Sequence, residues 1–268
     1  MSAYLIVDQL ATPSVSDATA ILGFKSILPV SSYSGENENP GFPLINALDY
    51  RDNTKYSPAI TTGSVQIVFT QSTVQTIDYF GFAIHNSQDA NMSGILEVDS
   101  GSGYETVAEF SQILNNRPFL KYFGAKQTTR QRLTLNFTGE LFIGSINIGE
   151  AVVFARAPSL GFQPGRTASN DKVEQFNTEG NNFIVGRRLS RGFNSKGTFR
   201  YIQFKDDIDD WFVDYMNHVL DSKTLYFKWN AGTDEAIYGV QNPNTLTKPS
   251  YVTSFHSDIS FDINGYAE

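Results

Sequence analysis

The chain has no cysteine in 268 residues. That absence removes disulfides, thiolate nucleophiles and cysteine-based zinc sites together. Stability must then come from core burial or from association. Histidine is scarce too: His85, His218 and His256 are the three present, and no pair shows HxH or HExxH spacing. Each reads as a surface or half-buried structural side chain. No stretch reaches the ~18 consecutive apolar residues that a membrane helix needs, so membrane insertion is not expected. The opening "MSAYLIVDQLATPS" lacks a basic start, and Asp8 interrupts its apolar run. No secretory leader is expected, and folding in a cytosol is.

Positive charge is also in short supply. Lys and Arg total 20 against 28 Asp and Glu, a net charge of −8. This argues against a partner held by phosphate neutralisation, and no sequence-specific nucleic acid is expected. Catalytic signatures are missing as well. No GxSxG elbow nominates a serine nucleophile. In "GFNSKGT" (Gly192 to Thr198) the lysine precedes the second glycine, the reverse of a phosphate-binding loop. The "GSG" at Gly101 to Gly103 joins two strand-like runs and offers no helix N-terminus to an anion. No enzyme activity and no cofactor are expected.

What the chain has in quantity is aromatic residues: 21 Phe and 13 Tyr, with 40% hydrophobic residues overall. Aromatic and β-branched side chains suit pleated sheets, which points to a mainly β protein. The length exceeds the usual single domain of roughly 100–200 residues, so two domains are expected. "SVQIVFT" alternates Val65, Ile67 and Phe69 on one face. "TIDYFGFAIHN" carries large side chains on both faces, as a central strand does. "GILEVDS" and "ETVAEF" flank "SGSG" as a hairpin, and "QRLTLNFTG" and "LFIGSINIGEAVVFA" are further strand regions. The Pro- and Gly-bearing "RAPSLGFQPGRTASNDK" reads as a connection, dividing the chain into 1–155 and 156–268. Beyond it, "NNFIVGRRLSRGF", "GTFRYIQFK", "TLYFKWNA", "EAIYGVQ" and "YVTSFHSDISFDING" all have strand character. One segment differs. Ile208, Trp211, Phe212, Tyr215 and Val219 form a helical stripe, predicting a helix over 207–222 with the Asp206 to Asp210 run at its N-terminus.

Two sets of residues are candidates for function. In "NALDYRDNTKYSP", Asp49 and Asp52 either cap a turn or hold a cation, and capping is the plainer reading. Tyr33, Tyr50 and Tyr56 offer ring faces that can stack on a sugar. The second set is the basic stretch Arg187, Arg188, Arg191, Lys196 and Arg200. It is either the charged outer face of a hairpin or a contact for acidic residues such as Asp206 and Asp207 of a neighbouring subunit.

Residues Asn46 to Phe154 resemble discoidin-like (galactose-binding-like) jelly rolls. The likeness is carried by "NALDYRDNTKYSP", "SVQIVF", "IDYFGFAIHN", "GILEVDSGSGYETVAEF" and the closing "INIGE" (Ile146 to Glu150), with Tyr56 in place of the more usual Trp. It implies a β-sandwich whose rim binds glycans, lipids, proteins or nothing, with Asp49, Tyr50 and Tyr56 as rim residues. The second half, with its "VGRRLSRGFNSKGTFRYIQF" hairpin, single helix and closing strands, resembles the tail-tube-like β-sandwich or barrel of phage tail proteins. That likeness implies a structural virion protein of a phage tail tip or baseplate, assembled in the host cytoplasm. It would form a homo-oligomeric ring, hexamer or trimer, around the DNA channel and contact other tail proteins. The order departs from distal tail proteins, which place the ring domain first. The alternative reading is a carbohydrate-binding adhesin or receptor-binding accessory that takes a host glycan.

Overall fold

The computed structural model describes residues 20–49, 54–111, 115–154, 158, 162, 172–177, 184–190, 193–203, 208–230, 232–245, 250–253 and 256–265. The first half contains β1 (Ala20–Ser26), β2 (Ser32–Gly35), β3 (Thr62–His85), β4 (Ser93–Asp99), β5 (Tyr104–Phe110), β6 (Phe119–Thr138) and β7 (Ile143–Phe154). The second contains β8 (Lys172–Asn177), β9 (Ile184–Ser190), β10 (Phe193–Gln203) and the helix α1 (Ile208–Leu220). It closes with β11 (Thr224–Lys228), β12 (Ile237–Gln241), β13 (Ser250–Thr253) and β14 (His256–Gly265). The protein is mainly β, and all its strand pairs are antiparallel.

Twelve strands form one sheet, in the order β10-β14-β12-β11-β1-β7-β3-β6-β4-β5, with β2 added to β3 and β13 to β14. The sheet folds over on itself as a β-sandwich, and β3 shows how. The two apolar runs expected as separate strands are one 24-residue strand. Its pairing with β6 slips between Thr70 and Gln75, where Ser72, Thr73 and Val74 are exposed. Before the slip Val65, Ile67 and Phe69 face the main core; after it Phe80 and Phe82 do. A second slip between Ile77 and Tyr79 changes the parity of the strand, as an extra residue in a ladder must. Tyr79 and Ala83 therefore face the opposite side. The expectation of a strand buried on both faces holds.

The main core also takes Leu96 and Val98 of β4, Leu133 and Leu135 of β6, and Ile146 and Ile148 of β7. A second core lies under α1. The helix occupies the predicted stripe: Phe212, Tyr215 and Val219 are buried, and Trp211 is half-buried against Phe154 and Tyr215. The expected capping residues Asp206 and Asp207 lie outside the described residues. Ile259, Phe261 and Ile263 of β14 close this core.

The basic stretch is arranged differently from the expected hairpin. β9 pairs with β8, where Arg187 stands opposite Glu174 and Arg188 opposite Val173. β10 pairs instead with β14. The hairpin reading is a local one, but β14 feeds a buried core and pairs along most of β10, so tertiary packing overrides the local signal. Lys196 is ion-paired at 3.2 Å with Asp262, the residue opposite it in that ladder.

The sheet crosses from the first half of the chain to the second through β1, which pairs with β7 on one side and β11 on the other. A third cluster, of Ile21, Tyr79, Ala83, Leu120, Tyr226, Ala236 and Tyr238, fills the junction. Gly81 packs closely there: a Cβ would come 3.1 Å from the Tyr226 ring, which would have to yield by a few tenths of an ångström. A short backbone bridge adds a second seam: Leu120 N–H donates to the Asp234 carbonyl at 2.8 Å and Ala236 N–H to the Pro118 carbonyl at 2.9 Å. Beside it the Asp234 carboxylate holds two lysines, Lys121 at 2.7 Å and the buried Lys228 at 3.4 Å. Burial pulls the Lys228 ammonium below its ordinary range. Asp234→Ala is expected to destabilise the protein by about 1–3 kcal/mol, since it leaves a buried charge short of a partner. Adding Lys228→Met should recover most of that loss in denaturant melts. A double variant no more stable than the single one would show that Lys228 is not the group Asp234 satisfies.

Candidate functional site

One end of the sandwich gathers the loops β2–β3, β3–β4 and β6–β7, and their backbones are tied together. Thr138 N–H donates to the Ala90 carbonyl at 2.8 Å, and Gly139 N–H to Thr61 at 2.7 Å. The β2–β3 loop is stitched internally. Leu44 N–H donates to Glu38 Oε1 at 2.7 Å, Gly41 N–H to Asn39 Oδ1 at 2.9 Å, and Ala59 N–H to the Asn37 carbonyl at 2.7 Å. Asn46 spans the turn: its Nδ2 donates to the Lys55 carbonyl at 3.1 Å, while its own carbonyl accepts from Thr54 Oγ1 at 3.0 Å. This polar stretch is a braced corner.

The corner fixes a small outward-facing patch. Tyr56 and Ile143 exchange two backbone hydrogen bonds, at 2.8 and 2.9 Å, and both side chains are buried. Side chains alternate across an extended ladder, so Lys55 and Phe142, each one residue before a member of that bridge, are directed outward. There the Lys55 Nζ lies 4.6 Å from the Phe142 ring centroid and 5.5 Å from that of Phe42, both within cation–π range. Phe42 is 42% exposed and Ile45 46% exposed. Phe142 is pinned from behind, where its N–H donates to Asn86 Oδ1 at 2.8 Å and Asn86 Nδ2 donates to the Glu140 carbonyl at 2.7 Å. Two aromatic rings, an aliphatic side chain and an ammonium thus share one surface on a rigid frame. Such a surface can stack on an apolar ligand face while donating hydrogen bonds from its edge.

The residues expected from sequence fall differently. Tyr56 is 1% exposed, and burial followed by the Glu38 charge pushes its hydroxyl up to about 12. It has no ring face to offer a sugar; its phenol fills the core that the bridge with Ile143 closes. Tyr56→Ala is a core deletion, costing about 3–5 kcal/mol. Tyr33 is half-buried against the same core. Asp49 is half-buried and follows the short 3-10 turn Leu44–Ala47. Tyr50 and Asp52 lie outside the described residues, as do Arg191, Asp206 and Asp207. Among the described residues no group of three or more His, Asp and Glu is placed to hold a metal ion.

Two of the histidines are more buried than expected. His85 packs edge-on against Phe82 and Phe119, and His218 Nε2 lies 2.8 Å from the Thr224 carbonyl. Burial lowers both to about 4. A buried carboxyl behaves in the opposite sense. Asp78 sits at the second slip of β3, and its Oδ1 accepts from Ala151 N–H at 2.8 Å, replacing a ladder partner. Burial, with the Glu150 charge adding to it, raises Asp78 to about 7. It lies on the sheet and away from the loop-end patch.

No family model matches the chain, and no curated protein matches it. Solved structures that align with about half of its length are carbohydrate-binding modules among others. One is a carbohydrate-binding module from Clostridium perfringens in complex with GalNAc-β-1,3-galactose, at 13% identity and a TM-score of 0.40, covering 47% of this chain and 100% of the module. Another is the family 32 module of Clostridium perfringens NanJ in complex with galactose, at 12% identity and a TM-score of 0.41, covering 49% of this chain and 99% of the module. A third is chitosan-binding module 1 of a Paenibacillus chitosanase/glucanase, at 14% identity and a TM-score of 0.40, covering 47% and 99%. What those modules bind is a property of theirs.

The titratable groups make a prediction. The raised Asp78 contributes stability that is fully present below about 3.8 and is lost as pH rises through about 7. The depressed His85 and His218 act the other way, contributing stability above about 6.5 that is lost as pH falls toward 4. Asp78→Asn keeps the acceptor for Ala151 and removes the charge. It should stabilise the protein at pH 8 by an amount approaching about 4 kcal/mol, and the gain should shrink as pH falls toward 4. Parallel wild-type and variant curves across this range would refute the assignment.

Proposed function

We propose that this chain is a glycan-binding β-sandwich. The observation that carries the reading is the outward pair Phe42 and Phe142 with Lys55 between them, held on a corner whose backbone is braced from three loops. A pyranose presents an apolar C–H face and an equatorial rim of hydroxyls. The rings and Ile45 suit the face, and the ammonium with the polar loop groups suits the rim. Because the frame is already ordered, binding loses little conformational freedom.

A second reading keeps the expected structural role in a phage tail, and one observation favours it. The jelly-roll half is not tethered by a linker alone; it is continued by β1 and β11 into the second half and locked by the 118–120 and 234–236 seam. A rigid body of that kind suits a component that transmits position within an assembly. The ring contact expected from Arg187, Arg188 and Arg191 facing Asp206 and Asp207 belongs to this proposal. Ring closure in solution, seen by light scattering and electron microscopy of the full chain, tests it.

For the glycan reading, Phe42→Ala should reduce affinity about tenfold for whichever glycan the full chain selects on an array. It should move stability by no more than about 1 kcal/mol, because the ring is exposed. Calorimetric titration measures the first and a thermal melt the second. Unchanged affinity in both Phe42→Ala and Phe142→Ala would move the binding surface elsewhere.

A further inference from the structure

Most of the cations whose side chains are described are neutralised locally. Lys25 pairs with Asp214, Lys121 and Lys228 with Asp234, Lys126 with Glu105, Lys196 with Asp262, and Lys223 with Asp221. Among the lysines whose side chains are described, Lys55 is the one without a carboxylate partner. Acidic residues outnumber basic ones 28 to 20 over the whole sequence, so partners are plentiful. Lys55 is instead exposed at the loop end and held over two rings.

Cation–π contact positions an ammonium without neutralising it, because the ring quadrupole carries no net charge. The side chain is already ordered, so less rotamer freedom is lost when a ligand arrives. An ammonium prepared in this way, with exposed Phe42 and Ile45 beside it, matches an anionic group attached to a body with an apolar face. We infer that the loop-end patch selects an anionic saccharide, with the carboxylate or sulfate of the sugar accepting from Lys55 Nζ while the sugar ring lies against Phe42. This rests on the glycan-binding reading and narrows it to a ligand class. A charge-assisted hydrogen bond of this kind is stronger than one to a neutral hydroxyl, which gives the site its discrimination.

The test titrates the full chain with uronate oligomers, a sulfated galactan free of uronate, neutral galactose oligomers of matched length, and polyglutamate. The expected result is tighter binding of the uronate or the sulfated glycan than of the neutral oligomer. Which of the two is preferred tells carboxylate from sulfate. Lys55→Gln should weaken anionic binding about tenfold and neutral binding by a clearly smaller factor, and Lys55→Arg should retain most of the anionic binding. Raising salt from about 50 mM to about 500 mM should mimic Lys55→Gln. An unchanged melting curve for Lys55→Gln guards against misfolding as the cause. Preference for the neutral oligomer, with no effect of Lys55→Gln, overturns the anionic class and leaves the glycan reading standing. Binding of polyglutamate without any saccharide overturns both, and so does no binding of any probe.

Discussion

The fold depends on β1 being paired along both of its edges. Its Ala20 to Gly23 stretch runs against β7, and Ile21 to Gly23 also run against β11. Both of its faces are buried: Ala20, Leu22 and Phe24 enter the core beneath α1, while Ile21 enters the junction cluster. A strand in that position must be short, apolar on both sides and free of charge in its middle, which "AILGF" is. Gly23 adds a further condition, since a Cβ there would stand 2.7 Å from the Tyr79 ring. Without β1, β7 and β11 would each present an unpaired edge, and two aromatic-rich clusters would lose part of their walls.

Much of the architecture was legible because alternation is a local signal. The β4–β5 hairpin, the core-facing residues of β3 before its first slip and the helical stripe of α1 follow from period and turn chemistry alone. The strand β1 was not legible. Its first five residues are buried on both faces and show no alternation, and its identity as a strand comes from partners that lie more than a hundred positions away in sequence. The pairing of β9 and β10 failed for a related reason. The runs "NNFIVGRRLSRGF" and "GTFRYIQFK" put its turn at Asn194 to Lys196, but those residues lie within β10 and pair with β14, a ladder that no local signal reveals. The fusion of two apolar runs into β3 also escaped, because the polar Gln71 to Gln75 segment looks like a loop although the strand pairs with β6 on both sides of the slip it carries.

The candidate site shows the same division. The polar turn around Asn46 was recognised as a corner, and the hydrogen bonds of Asn46 and Thr54 are those of a corner. Of its aromatic residues Tyr56 was misjudged, since it was expected to offer a ring face to a sugar. Tyr56 is drawn inward by the bridge with Ile143, and that same bridge turns Lys55 and Phe142 outward. The signal for Phe142 was present in "ELFIG": Leu141 and Ile143 are core residues, so the residue between them has to face the other way. Phe42 sits between Gly41 and Pro43 in an otherwise polar loop, a setting in which an aromatic residue has no neighbouring apolar period to join.

The treatment of charge links these observations. Where the chain buries an ionisable group, it supplies a partner or shifts the group toward neutrality. Lys228 is held by Asp234, Asp78 takes a backbone donor and is raised, and His85 and His218 are lowered. These are the responses that desolvation forces on a group enclosed by apolar neighbours. Lys55 stands outside that logic. It is exposed, so water already solvates its charge and burial places no demand on it; yet two rings and a braced corner restrict where it can point. Order imposed on a solvated cation does not follow from folding, which would be satisfied by a freely moving side chain. It is the condition under which an approaching anion meets a charge already in place.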